Sequence, residues 1–108
     1  MDFEDSKIYK ALIETPYHKV ASRVLDLTES GRDVTIKDSV GRTFLHHVAE
    51  APEKFGDARA VPVVYQLCLA GVDINALDFQ GDSALHKVAW KEGGYRIIKA
   101  LIRYFLLY

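Results

Sequence analysis

The sequence predicts an all-helical domain that stacks copies of one helix–turn–helix unit. Two segments, residues 38–49 and 78–89, carry the same order of residue types. Each has an aspartate, a glycine three residues on, a hydroxyl residue, then Leu-His and Val-Ala. Apolar residues at helical spacing follow both copies, and repetition of such a pattern is the signature of a solenoid.

Composition sets the class of protein. The 108 residues are 49% apolar with a net charge of −1, which fits one domain and disfavours a general nucleic-acid or anionic-membrane binder. The single cysteine, Cys68, leaves no internal disulfide and suggests a reducing compartment. The acidic N-terminus does not resemble a secretory signal, and no apolar run approaches the ~20 residues that span a bilayer. These features predict an intracellular protein, cytoplasmic or nuclear.

The first unit, residues 5–37, predicts two short antiparallel helices followed by an extended arm. Thr15 suits a helix N-cap and Pro16 the first helical position, so the second helix should begin there. Gly31 suits the left-handed residue that ends this helix. Residues 33–36 then alternate polar and branched apolar side chains, which favours an extended arm.

The second unit, residues 38–77, begins with a turn in which the Asp38 side chain can bond the backbone two residues on. Thr43 should cap the next helix. Residues 50–62 hold two prolines and a glycine, and predict a loop inserted between two helices. This loop either adds binding specificity or is a tolerated insertion. Gly71 should end the helix that follows.

The partial third unit, residues 78–108, repeats the turn and the helix over residues 78–92. Apolar residues from Ile97 to Phe105 predict a last helix that lacks a terminating glycine.

The motifs of this chain resemble those of the ankyrin repeat family. The family's Thr-Pro-Leu-His is similar to residues 43–46 and 83–86, with Phe44 and Ala84 in place of proline. Its Gly-Ala-Asp-Val-Asn-Ala arm is similar to residues 71–76, and the repeat spacing is 40 residues where the family has about 33. The resemblance implies a solenoid of about three repeats, with the surplus of seven residues in the 50–62 loop.

In such a repeat, Leu45 and Leu85 are expected to lie between neighbouring units. The hydroxyls of Thr43 and Ser83 are expected to bond the histidines three residues on. Because each unit buries little alone, stability should come from stacking.

Residues that invite a catalytic or metal-binding interpretation fit structural roles better. His46 and Glu50 could seat two metal ligands, but a third is not evident, and His46 suits a structural role. Cys68 falls on an apolar helix stripe and suits a buried thiol. The Gly93-Gly94 pair lacks the Lys-Ser/Thr of a phosphate-binding loop. We therefore expect no enzymatic activity, no cofactor and no metal.

The predicted binding surface combines turn tips with outward helix positions. An apolar centre with a charged rim is typical of protein-binding hot spots. The alternative is that Phe79 and Trp90 pack on each other or fold under the loop. The expected partner-binding residues are Val40, Arg42, Leu77, Phe79, Gln80, Asp82, Trp90 and Lys91.

A second candidate surface is the apolar last helix. It predicts either self-association or cover by a further repeat C-terminal to this chain. The expected function is a protein-interaction module with no direct contact to nucleic acid or membrane, and the alternative is an oligomerising structural element. The possible self-association residues are Leu101, Ile102, Phe105 and Leu106.

Overall fold

The computed structural model describes residues 12, 14–50, 57–90 and 94–107, and the regular structure within these residues is entirely helical. The predicted all-helical class is therefore confirmed. Among these residues, no helix has the length and apolarity needed to cross a membrane. The helices are α1 (Val20–Glu29), α2 (Phe44–Glu50), α3 (Asp57–Leu69), α4 (Ala84–Ala89) and α5 (Tyr95–Leu107), and a 3-10 turn, Tyr17–Lys19, precedes α1.

The helices form two layers. Helices α2 and α4 pack side by side in one layer, and α1, α3 and α5 form the other, with α3 between its two neighbours. Apolar side chains from both layers meet in one core. Its largest fully buried members include Phe44, Leu45, Leu67, Ile97 and Leu101.

The second helix of the first unit ends at Gly31 as predicted but begins later than predicted. Most of its expected first helix lies outside the described residues, although Leu12 is buried in the core. Regular α-helix begins at Val20 and not at Pro16, because residues 17–19 form a 3-10 turn that the Lys19 N–H closes on the Pro16 carbonyl at 2.8 Å. Tight 3-10 turns are common at helix N-termini.

Two glycines end helices in the same way, as the sequence predicts. Gly31 has φ +83° and Gly71 has φ +103°, the region that glycine enters at low cost. In each case the glycine N–H and the next N–H donate back to carbonyls three and five residues earlier, at 2.9–3.1 Å. This is the Schellman arrangement, and it sends the chain into the arm.

The arms of units 1 and 2 form equivalent hydrogen bonds, and so do the turns of units 2 and 3. Asp33 and Asp73 each accept the N–H two residues on, at 2.8 and 2.9 Å. The Oδ1 atoms of Asp38 and Asp78 accept the N–H groups two and four residues on, at 2.9–3.0 Å. Among the described residues, the predicted arms contain no β-strand.

The prediction of a loop over residues 50–62 is wrong in its second half. Helix α3 begins at Asp57 and contains Pro62 in its interior, and residues 51–56 lie outside the described part of the chain. An interior proline costs about 3 kcal/mol through its missing hydrogen bond and its ring. Pro62 itself is exposed, whereas Ala60 and Val63 on the helix's inner face are fully buried, and this packing keeps the helix continuous.

The expectation that Leu85 lies between neighbouring units is also wrong. Leu45 is 1% exposed because α4 packs against α2, whereas Leu85 is 40% exposed. Leu85 instead borders an open groove with Ile102 and Phe105 of α5.

Candidate functional site

The two aspartate–glycine turns lie against each other. The backbone N–H of Phe79 donates to the carbonyl oxygen of Val40 at 2.9 Å. The Phe79 ring rests on Gly41, since a Cβ built on this glycine would fall 2.6 Å from the ring Cδ1. The backbone of one turn therefore holds Phe79 in place, while 78% of its surface stays exposed.

Lys87 is the centre of a charged cluster behind these turns. Its ammonium lies 3.2 Å from carboxylate oxygens of both Asp78 and Asp82, 3.4 Å from Glu50 and 3.3 Å from the amide oxygen of Gln80. Burial disfavours the charged ammonium, but its hydrogen bonds to the three carboxylates outweigh this and raise the pKa of Lys87. The cluster joins α2, α4 and the second turn.

Glu50 extends this cluster to the first turn. Its Oε2 pairs with the Arg42 guanidinium at 2.9 Å, while its Oε1 faces Lys87. Both partners are partly buried, so Arg42 has a fixed orientation at the edge of the turn. Partly buried pairs that form networks are screened less by salt than isolated surface pairs.

The two turn aspartates are held ionised by the backbone. Hydrogen bonding from the Asp82 N–H is the largest cause that lowers the pKa of Asp78 to about 2, and Lys87 adds to it against the opposing effect of burial. Burial raises the pKa of Asp38, but bonds from the Arg42 N–H, the His47 side chain and a further backbone N–H outweigh it and lower this pKa overall. The His47 Nε2 lies 3.0 Å from Asp38 Oδ2.

Four large apolar side chains in or next to the turns and at the end of α4 are exposed. The exposed fractions are 43% for Val40, 54% for Leu77, 78% for Phe79 and 88% for Trp90. These four side chains are called the apolar turn surface below. Such exposure contradicts the alternative in which Phe79 and Trp90 fold inward.

Trp90 caps the C-terminal end of α4, three positions after Lys87. Residues three apart are neighbours on a helix surface, so this spacing places Trp90 on the side of α4 that carries Lys87. Of the other predicted binding residues, Gln80 is exposed, Asp82 and Arg42 are half-buried, and Lys91 lies outside the described residues.

His46 has a structural role, as the sequence suggests. The Thr43 N–H donates to its Nδ1 at 3.1 Å, so its Nε2 carries the proton and donates to the Asp82 carbonyl at 2.8 Å. The imidazole is 1% exposed and connects units 2 and 3. In the part of the chain that the structure describes, no three potential ligands gather into a metal site.

The second predicted surface is an apolar groove of about 200 Å³ at the end of unit 3. Ile102 and Phe105 are 44% and 59% exposed there, beside Leu85. Leu101 does not fit the prediction of an exposed contact residue, because it is 2% exposed and forms the groove's floor. The Leu106 side chain lies outside what the structure describes.

The open end of unit 3 is equivalent to the end of unit 2 that α4 covers. His86 bonds the Ser83 N–H and hydroxyl through its Nδ1, at 3.0 and 2.8 Å, as His46 bonds Thr43. However, no described residue bonds the Nε2 of His86, which is exposed. In unit 2, α4 covers the face that carries Leu45 and His46. The equivalent face of unit 3, which carries Leu85 and His86, is open.

Lys87 is the residue of the candidate site that the sequence interpretation missed. A signal was present, since Lys87 occupies the repeat position of His47, and Asp78 occupies that of Asp38. In the structure, Lys87 lies 3.2 Å from Asp78, and His47 lies 3.0 Å from Asp38 at the equivalent positions. Glu50 joins Lys87 and Asp82 in one cluster only because α4 packs against α2. The sequence of a single unit does not reveal that contact.

Neither a protein-family model nor a curated protein matches this chain.

Proposed function

We propose that this chain is a short ankyrin-repeat solenoid that binds a partner protein through the apolar turn surface, without enzymatic chemistry. The shared turns, the glycine helix ends and the His46–Asp82 bond between units support the stacked-repeat architecture. The expected residues at the rim are Arg42, Gln80 and Asp82.

The observation that carries the proposal is the exposure of two large aromatic side chains, one of which belongs to the turn that supplies Asp78, Gln80 and Asp82 to the charged cluster. Trp90 is 88% exposed and Phe79 is 78% exposed. Soluble proteins seldom expose such groups together without a use, and aromatic residues dominate the energy of protein interfaces. The surrounding cluster supplies the polar rim that such interfaces have.

The site is preorganised, which favours affinity. Phe79 is fixed by its N–H bond to Val40 and by its contact with Gly41. Lys87 and Glu50 fix the polar groups behind it. A surface that is already ordered loses less conformational entropy on binding.

The test is affinity capture from cell extract with three forms of the chain: wild type, Phe79→Ala/Trp90→Ala, and the control Leu25→Ala/Leu69→Ala. The control removes apolar side chains that are 40% and 67% exposed elsewhere on the molecule. A protein retained by wild type and control but lost by the double aromatic variant supports the proposal. Equal retention by all three forms contradicts it.

The end groove favours a second candidate function, self-association of two copies through Leu85, Ile102 and Phe105. These side chains border one apolar groove, and their exposure contrasts with the burial of Leu45 at the equivalent place in unit 2. Light scattering over a range of protein concentrations tests it. A dimer that Ile102→Lys/Phe105→Lys converts to monomer supports self-association, whereas a wild-type monomer at every concentration contradicts it.

A further inference from the structure

The face of unit 2 that holds unit 3 binds through one acceptor, one donor and one bare glycine. The Val40 carbonyl oxygen accepts the Phe79 N–H at 2.9 Å. The Nε2–H of His46 donates to the Asp82 carbonyl oxygen at 2.8 Å. Gly41, which has no side chain, lies under the Phe79 ring. These contacts show which groups this kind of face uses when it is covered.

The open end of unit 3 carries the same three groups, uncovered. The residues forty positions on are Gln80, Gly81 and His86. Among the described residues, none donates to the Gln80 carbonyl and none accepts from the Nε2 of His86. The Ser83 N–H donates to the Nδ1 of His86 at 3.0 Å, so the proton lies on Nε2, which is a donor. A Cβ built on Gly81 would meet no described atom within 4 Å.

The apolar groove at this end has an uncharged lining. Leu85, Ile102 and Phe105 supply its exposed apolar surface, and its polar residues, Asn75 and Ser83, are neutral. Two identical faces that carried one sign of charge would repel each other, and this lining does not. The amide of Asn75 offers both donors and an acceptor, so it can pair with the same residue of another copy. The groove therefore suits contact with its own copy.

We propose that two copies of this chain join through the open end of unit 3 about a two-fold axis, with His86 of each copy donating to the Gln80 carbonyl of the other. A two-fold contact uses the same surface on both copies, so that surface must be complementary to itself. This face has one donor and one acceptor without protein partners, so the axis forms the same hydrogen bond twice. Leu85, Ile102 and Phe105 of the two copies then shield one another from water, which is the main driving force for association.

This inference rests on the self-association candidate, to which it adds the symmetry and the polar contacts. It does not depend on the apolar turn surface. The two ideas use different residues, so partner binding through Phe79 and Trp90 can succeed or fail independently of it.

The symmetry is tested by NMR of the 15N-labelled full chain over a range of protein concentrations. A two-fold contact uses one face, so only amide signals around this end should move with concentration. These are the signals of residues 74–75, 80–86 and 101–105. A head-to-tail contact joins two different faces, so it would also move signals in a second, separate region of the chain.

The hydrogen bond is tested with His86→Gln and the control His18→Gln. Glutamine is a natural capping-box residue, so His86→Gln keeps the bond to the Ser83 N–H and removes the outward imidazole N–H. It should weaken dimerisation about tenfold, because the axis removes two hydrogen bonds at once. His18 is exposed in the 3-10 turn of unit 1, and its variant should stay within about twofold of wild type. Sedimentation equilibrium measures both constants, and circular dichroism checks that both variants fold.

Three results would overturn the proposal, and they differ in what else they remove. A wild type that stays monomeric at every concentration removes self-association as well, and leaves the face to a different polypeptide. A dimer with a second region of moving signals keeps self-association and removes the two-fold axis. Equal dimerisation constants for His86→Gln and His18→Gln remove the hydrogen bond from His86 to Gln80.

Discussion

The aromatic ring of Phe79 lies on the backbone of Gly41, in the preceding aspartate–glycine turn. The distance from an added Cβ on Gly41 to the ring Cδ1 is 2.6 Å, and to the Phe79 backbone nitrogen 3.1 Å. A glycine in one unit thus makes room for the side chain that the next unit presents to solvent. The backbone hydrogen bond from Phe79 to Val40 holds the two turns together, and the Phe79 ring covers Gly41 while most of its surface stays exposed.

This contact predicts that Gly41→Ala destabilises the chain more than Gly81→Ala does. Both glycines have nearly the same φ, +81° and +82°, so alanine should pay a similar backbone cost of about 1–2 kcal/mol at either position. An alanine at position 81 meets no atom within 4 Å, whereas at position 41 it must displace Phe79. We expect about 1 kcal/mol of extra loss in the free energy of unfolding for Gly41→Ala. Urea unfolding of both variants measures it, and equal losses would show that the Phe79 contact adds nothing.

The two repeat histidines should differ in their contribution to stability. His86→Ala removes a helix-cap bond at an exposed site and should cost about 1 kcal/mol. His46→Ala also leaves a cavity and an unpaired Asp82 carbonyl, and should cost about 3 kcal/mol or more. The measurement is the urea midpoint of each variant. A His86 loss as large as that of His46 would mean that the end of unit 3 is covered in solution.

Stability should fall in acid through the turn aspartates. The folded-state pKa of Asp78 is lowered from 3.8 to about 2, so its stabilising effect is complete above pH 4 and is lost as the pH falls towards 2. The pKa values of Asp38 and Asp33 are also lowered, which acts in the same direction. Asp78→Asn should reduce stability at pH 7 and flatten its decrease between pH 4 and pH 2.

Urea unfolding from pH 7 to pH 2 tests this effect. Asp26→Asn, in α1 and outside the turns, is the control and should keep the wild-type pH dependence. An Asp78→Asn variant whose stability falls as steeply as that of wild type would remove Asp78 from the explanation.

The local signals in the sequence predicted the helices better than they predicted their surroundings. Gly31 and Gly71 end helices as expected, because a left-handed residue is fixed by its own backbone. Pro62 led to the wrong prediction of a loop, because burial of Ala60 and Val63 outweighs the tendency of proline to end a helix. Leu85 was expected to be buried and is exposed, whereas Leu101 was expected to be exposed and is buried. A repeat pattern places the same residue type in every unit but does not tell which unit has a neighbour.

The candidate site was predictable in its exposed residues and not in its charged cluster. Phe79 and Trp90 stand out because turn tips and helix ends project from any stacked repeat. Lys87 and Glu50 are 37 residues apart in the sequence. They meet because α4 packs against α2, and this contact is set by tertiary packing.

Trp90 is the single tryptophan of the chain, so its fluorescence reports on the apolar turn surface directly. At 88% exposure, it should be quenched by acrylamide almost as readily as a free tryptophan amide. Unfolding in urea should change that quenching little. Strong protection in the native state would place Trp90 inside the fold and remove it from the binding surface.

The central claim is that the apolar turn surface binds a partner protein and is not needed for folding. The most direct measurement is calorimetric titration of the purified partner, once captured, into wild type and into Phe79→Ala/Trp90→Ala, with the free energy of unfolding measured for both. We predict an affinity loss of about 30-fold or more, equivalent to ~2 kcal/mol, with unfolding changed by less than about 0.5 kcal/mol. Unchanged affinity, or a stability loss as large as the binding loss, would contradict the claim.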